Sequence, residues 1–305
     1  MAALKAIKTK IRSVGKTRTV TKAMEAVSAA KMRKAQQRAL AGRSYARAAT
    51  ATLARVSGSR ELLTHPLTAV RSVQNILYIV ITSDKGLAGG LNSGVLRATQ
   101  ADITAGGFST SHVSAIAVGR KANDFFANRG YNVEKYFPNN DTVTSTLVHE
   151  IVDEAAHTFA AGTVDLVKIV YQNFISTFEQ RPTLRTVFPL SIQELELVVG
   201  DIVPARGAFA AKPGEGEHPT TYTIEPSETE VLSAILPRLA SIFAYHALLE
   251  SQASEHSARM VAMKSASDKA KDLQKGLTRQ FNKARQASIT REVSEITGGM
   301  EAMAG

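Results

Sequence analysis

The chain has 305 residues, 44% of them hydrophobic and 21% charged, with no cysteine and a net charge of +10. That length supports one or two domains with a sizeable core, while the missing cysteines exclude a disulfide framework, a thiolate metal site and a cysteine nucleophile. No apolar run approaches the roughly 18 residues of a membrane span and the N-terminus lacks the apolar core of a signal peptide, so a chain kept in the cytoplasm is expected.

The first element runs from Leu4 to about Arg55 without a proline. Leu4, Ile7, Ile11 and Val14 step by three, four and three, which is a heptad seam. Its register continues through Arg18, Thr21, Glu25, Ser28, Met32, Ala35 and Ala39, so large apolar residues give way to small and polar ones. With alanine frequent throughout, residues 1–58 are expected to form one coiled-coil helix roughly 75 Å long. A seam this polar suits a specific mate better than self-association.

Residues 1–60 hold 15 Lys and Arg against Glu25 alone, residues 61–224 hold 12 bases and 16 acids, and residues 225–305 hold 10 of each. The whole excess therefore sits on the first helix and calls for an acidic partner: a nucleic acid, a lipid surface or an acidic protein. Lys31, Arg33, Lys34 and Arg38 form its densest basic face. Tyr45 is the only aromatic residue of this segment, which disfavours base stacking and makes acidic protein loops the sharper expectation.

Ser57, Gly58 and His65-Pro66 end the helix. From residue 70 to 203 strands alternate with helices. Ile76 to Thr82 is a continuous apolar strand, followed by a Gly-rich turn from Ser83 to Gly90 and a helix through about Thr104. Val113 to Val118 is a second buried strand, then a helix from about Arg120 to Asn128 with Gly130 as its stop. Val133 to Phe137 is a third strand, and Thr144 to Ala161 a helix capped by Thr144. Val164 to Phe174 and Pro182 to Leu190 pair as an edge hairpin. This order predicts an α/β domain, Rossmann-like, with a mostly parallel sheet.

Residues 204–224 contain Pro204, Pro213, Pro219, Gly207, Gly214 and Gly216 and read as a loop or partly disordered insert. Residues 225–305 form the last element, one helix from about Thr229 to Gly298, with Ser227 and Glu230 as its capping box. Pro237, about two turns in, is expected to kink it without ending it. Apolar residues recur helically at Ile235, Leu239, Ile242, then Met260, Met263, then Leu273, Leu277, Phe281 and Ala284. A rod of roughly 100 Å cannot be a core helix, so it needs a long mate or a partner. The first helix is that mate, in an antiparallel coiled coil whose two helices flank the α/β domain.

Each candidate for chemistry has a plainer reading. Gly15-Lys16-Thr17 ends like a phosphate-binding loop, but Lys10 stands where the first glycine is required and no strand precedes it. Gly86, Gly89, Gly90 and Gly94 lack dinucleotide-fingerprint spacing, so a tight turn needing unusual backbone angles is favoured. His149, Asp153 and His157 share a helix face, yet about 12 Å over two turns is too far for one ion, and a solvated face is favoured. No nucleophile elbow is present. No catalytic residue, cofactor or metal is expected. A basic coiled coil engaging nucleic acid and a nucleotide-using α/β enzyme stay open as rivals on these residues alone.

The run Ile11-Arg12-Ser13-Val14-Gly15-Lys16-Thr17, continued through Thr21-Lys22-Ala23-Met24-Glu25 to Ala30-Lys31-Met32-Arg33-Lys34-Ala35, resembles the opening of the gamma subunit of F-type ATP synthases, bacterial type. Ser83-Asp84-Lys85-Gly86-Leu87-Ala88-Gly89-Gly90-Leu91-Asn92 resembles the same family at its first strand-to-helix turn. Most specific are Ser254-Glu255-His256-Ser257-Ala258-Arg259-Met260-Val261-Ala262-Met263 and Asn282-Lys283-Ala284-Arg285-Gln286-Ala287-Ser288-Ile289-Thr290-Arg291-Glu292. Lys16 and Lys269 stand where the family usually has Asn, and Ala88 where Cys is frequent.

The resemblance implies a non-catalytic central rotor shaft coupling proton flow to ATP synthesis or hydrolysis on beta subunits. Its expected partners are a ring of three alpha and three beta subunits, the epsilon subunit and the membrane rotor ring of c subunits. No nucleic acid is implied, and membrane association is indirect. By resemblance, Met24, Arg285 and Gln286 contact beta subunits, and Lys31, Arg33 and Lys34 face acidic beta loops. Ile289, Val293 and Ile296 form an apolar shaft tip, where non-directional contacts suit rotation. Because the motif begins close to Met1, the peripheral cytoplasmic face of the bacterial plasma membrane is expected rather than a mitochondrial precursor.

Overall fold

A computed structural model describes residues 2–41, 62, 64–140, 142–191 and 227–304. The expected insert at 204–224 and residues 42–58 of the expected first helix lie outside the described residues. The chain divides into two compact units, one formed by Met1–Ala29 with Arg259–Gly305 and the other by Ala30–Ala258. Two long helices, α1 (Ala2–Ala41) and α5 (Glu228–Ala304), each contribute to both.

In the second unit β1 (Ile76–Ile81) and β2 (Val113–Val118) are buried at every position, the signature of strands covered on both faces. The continuous apolar run ILYIVI and the run VSAIAV, apolar but for Ser114, suit that environment. The sheet order is β3-β2-β1-β4-β5, with β3 at Asn132–Phe137, β4 at Leu166–Phe174 and β5 at Gln180–Phe188. Pairings are parallel except β4 with β5, the expected edge hairpin. Three further helices, α2 (Leu91–Ala105), α3 (Arg120–Ala127) and α4 (Ser145–Ala160), complete the α/β pattern. Thr144 caps α4 as expected, its side chain accepting from the Leu147 amide.

Alternation along β1 divides the core. Ile76, Tyr78 and Val80 join Val95 and Ile103 of α2 and Ala122 and Phe126 of α3. Leu77, Ile79 and Ile81 join Val148, Ile151, Val152, Ala155 and Phe159 of α4, together with Leu232, Leu236, Leu239, Phe243 and Leu248 of α5. The opening of α5 is thus a core helix, which corrects the expectation that residues 225–305 are coiled coil throughout: the sheet and α4 cover its first turns. It starts at Ser227, whose Oγ accepts from the Glu230 amide at 3.3 Å, and Pro237 lies inside it without ending it.

By length and composition α5 contains a window apolar enough to cross a membrane, within Thr229–Met300, which corrects the expectation that no such run exists. Of that window 56% is buried within the protein, and the leucines and phenylalanine named above are core residues. A buried core helix and a membrane span share a composition; the sheet against which α5 packs distinguishes them.

Polar contacts fasten α5 where it leaves this core. Gln252 Nε2 donates to Asn140 O at 2.6 Å, Ser254 Oγ to Gln172 O at 3.0 Å, and Ser257 Oγ to Thr177 O at 2.7 Å. These bonds give the small hydroxyls of the Ser254–Ser257 motif a physical reason, because larger side chains would hold the helix off the β4–β5 hairpin.

Candidate functional site

In the first unit the heptad register of α1 is visible as burial. Leu4, Ile7, Ile11 and Val14 are half-buried, Thr21 and Ser28 are buried, and of the positions between them only Arg18 is exposed. Thr21 is satisfied locally, its hydroxyl donating to Thr17 O at 3.1 Å and Arg18 O at 3.0 Å. On α5 a heptad series of covered positions runs through Met260, Met263, Ser267, Ala270, Gln274, Leu277, Phe281, Ala284 and Ser288, alternating steps of three and four. The expected seam residue Leu273 is 55% exposed, and Gln274 takes its place. Hydrophobicity pointed to the leucine, but heptad phase from Ala270 selects residue 274.

Gly15 explains how a glutamine fits in a seam. The Gln274 side-chain amide lies 3.3 Å from where a Cβ on Gly15 would stand. Gly15, Arg18, Thr19, Lys22, Ala23 and Gln274 line an open pocket of about 430 Å³ at this level. Gly15-Lys16-Thr17 therefore lies inside a helix, where its amides are spent on helical hydrogen bonds and cannot cradle a phosphate.

Met24 is half-buried beside the ion pair Lys22–Glu25, 3.2 Å apart. It stands in an uncovered apolar stripe with Val20 and Val27, which are 58% and 55% exposed. Sequence reasoning missed those two valines, although their steps of four and three about Met24 are legible. Arg285 and Gln286 are exposed neighbours. One turn on, Ile289, Val293 and Ile296 are 52%, 53% and 63% exposed, and Met300 and Met303, which the sequence reading left out, extend the same steps. This stripe is offset by one residue from the seam that ends at Ser288, about 100° around the helix. From Ile289 onward every residue whose burial is described is exposed.

In the second unit, Lys31 is half-buried and Arg33 and Lys34 are exposed, with Met32 and Ala35 buried beside them. The Gly-rich turn closes on itself. The Ser83 amide donates to Asn92 Oδ1 at 3.0 Å, Asn92 Nδ2 donates to Ser83 Oγ at 2.7 Å, and Asp84 Oδ1 accepts from the Arg120 amide at 2.8 Å. Leu87 and Gly89 have φ of 64° and 58°, the unusual angles expected of this turn. Ser83, Asp84 and Asn92 are thus bonded to one another or to the start of α3.

The described residues also hold a polar cluster that no motif signalled. Tyr78 Oη donates to Asp102 Oδ2 at 2.6 Å, and Lys168 Nζ reaches the same carboxylate at 2.7 and 2.9 Å. Burial first, then the hydrogen bond to Asp102, pushes the Tyr78 phenol above its ordinary range. Two strands and one helix far apart in sequence meet here, tying α2 to β1 and β4. His149, Asp153 and His157 lie exposed on α4, and among the described residues no three acidic or histidine side chains are grouped to hold a metal ion.

A family model described as ATP synthase matches residues 3–303. The chain is 38% identical to the ATP synthase gamma chain of Heliobacterium modesticaldum over 304 residues, covering 99% of this chain and 100% of that one. Identity to the gamma chain of Pelotomaculum thermopropionicum is also 38%, with the same coverage. Among solved structures, a chain of the Euglena gracilis mitochondrial ATP synthase (OSCP/F1/c-ring) aligns with TM-score 0.64 at 19% identity, over 99% of this chain and 95% of that one. A chain of the Tetrahymena thermophila mitochondrial ATP synthase central stalk and c-ring aligns with TM-score 0.59 at 24% identity, over 81% and 99%.

Proposed function

The chain belongs to the ATP synthase gamma-chain family, and from that premise we propose that it acts as the rotating central shaft of the enzyme, carrying no catalytic group of its own. The observation that carries this reading is the apolar stripe Ile289, Val293, Ile296, uncovered on a helix that has already used its seam. Apolar contacts are non-directional, so such a surface turns in a sleeve without a preferred angle. Residues 1–29 and 259–305 serve as the shaft, and residues 70–203, together with the core opening of α5, as the body.

The shaft's partners are the alpha and beta subunits, and the body meets the epsilon subunit and the ring of c subunits. Met24, with Val20 and Val27, makes an apolar contact to beta, and Arg285 with Gln286 supplies hydrogen bonds to a beta loop. Lys31, Arg33 and Lys34 attract acidic loops, which shortens the search for the correct encounter. The protein then sits peripherally at the cytoplasmic face of a bacterial plasma membrane.

Co-expression with alpha and beta subunits tests the reading: the three are expected to purify together as an ATP-hydrolysing complex. A chain that stays apart from both would overturn it. At finer grain, joint Arg285→Ala and Gln286→Ala replacement is expected to lower proton-driven ATP synthesis in membrane vesicles while leaving helicity unchanged, and full synthesis would remove the assigned contact.

A further inference from the structure

Met300 and Met303 continue the stripe of Ile289, Val293 and Ile296 by steps of four and three, and they are 64% and 91% exposed. Met32 and Met263, by contrast, are 8% and 4% exposed. Every residue from Ile289 onward whose burial is described is exposed, so solvent reaches all sides of this end of the helix. Two thioethers thus stand open to dissolved oxidants within the apolar stripe at the end of α5.

We propose that Met300 and Met303 are a reversible oxidation site through which hydroperoxides switch off the apolar surface at the end of α5. A sulfur lone pair attacks one oxygen of hydrogen peroxide; the O–O bond breaks as the S–O bond forms, and the departing hydroxide takes up the proton of the sulfur-bound hydroxyl and leaves as water, so the sulfoxide remains. Sulfur loses two electrons and the peroxide gains them. The sulfoxide is polar, accepts hydrogen bonds and must be desolvated before it can enter an apolar sleeve. The unassembled chain is the reactive form, because a covered stripe shields both sulfurs. The site therefore disables subunits that wait unassembled under oxidative stress, and reduction by a methionine sulfoxide reductase returns them. The consequence for assembly rests on the stripe being a partner surface; the reactivity does not.

The test treats the full-length free chain with limiting hydrogen peroxide and maps sulfoxides by peptide mass. Met300 and Met303 are expected to oxidise at least about tenfold faster than Met32 and Met263, since access sets the rate. Equal rates overturn the site. Chain oxidised at both positions is then mixed with alpha and beta subunits; assembly is expected to fall at least about threefold and to recover after treatment with the reductase and a thiol. Undiminished assembly overturns the switch. Ile296→Gln runs in parallel: if it also assembles fully, the failure lies with the stripe as a partner surface, and if it assembles poorly, the failure lies with oxidation alone.

Discussion

Gly119→Ala is expected to be among the most damaging single-methyl additions in the α/β unit. Gly119 has φ 93° and ψ 142°, a region closed to residues with a Cβ, and holding one there costs about 1–3 kcal/mol. The new Cβ would stand 2.2 Å from Thr82 O and 2.7 Å from Thr82 C. Thr82 cannot retreat, because its amide donates to Val118 O at 2.8 Å and its hydroxyl accepts from the Ala122 amide at 2.9 Å. Gly119 is itself held by its amide, which donates to Phe137 O at 2.8 Å. Overpacking against fixed backbone adds about 1–3 kcal/mol, for a total near 4 kcal/mol. At an m value of about 2 kcal/mol/M, the urea midpoint falls by about 2 M.

The assay is urea unfolding followed by far-UV circular dichroism, with hydrogen exchange at β1 and β2 to localise the loss. Gly130→Ala is the control: its φ is also positive, at 74°, but a Cβ there meets nothing within 4 Å. It isolates the backbone strain, about 1–2 kcal/mol. A Gly119→Ala midpoint within about 0.5 M of the Gly130→Ala value would refute the clash argument.

Asp102→Ala strands the buried Tyr78 hydroxyl and the Lys168 amine, and is expected to destabilise by about 2 kcal/mol in the same urea assay; a loss under about 0.5 kcal/mol would show the cluster to be idle. Asp165 Oδ2 accepts from the Asn75 and Gln74 amides at 2.9 Å. The Asn75 hydrogen bond is the larger cause and the Gln74 bond adds to it, against opposing desolvation, so the carboxyl pKa lies below its ordinary 3.8. A depressed pKa means the stabilisation is present above the unfolded value and is lost as pH falls through the folded one. Stability at pH 7 minus stability at pH 3 should therefore shrink in Asp165→Asn, and an unchanged difference would contradict this. Gly15→Ala removes a helix-interior glycine at the expense of moving only the flexible end of Gln274, so thermal stability of the coiled coil is expected to rise by about 0.5–1 kcal/mol. A fall would mean that Gln274 cannot yield.

Legibility in the sequence followed the range of the interactions. β1, β2 and α4 were placed within a residue or two because fully apolar runs, a threonine cap and glycine stops act over a few residues. The seam of α1 was legible through to Ala35 because heptad phase persists even when its residues turn small or polar. Leu273 misled because its hydrophobicity outweighed its phase. The Tyr78–Asp102–Lys168 cluster left no trace, since its members meet only when β1, α2 and β4 come together. Val20 and Val27 were visible as letters, yet their exposure depends on which side of α1 faces its mate.

The sequence by itself determined the local elements, the heptad phases and the family, because these rest on short-range backbone preferences, on periodicity and on motifs read along the chain. Tertiary structure alone decided that one half of the 77-residue helix α5 is core and the other half coiled coil and open stripe, for apolar residues recur helically in all three. Burial is a property of what lies opposite a residue. For α5 that is first a sheet, then α1, and from Ile289 none of the described residues.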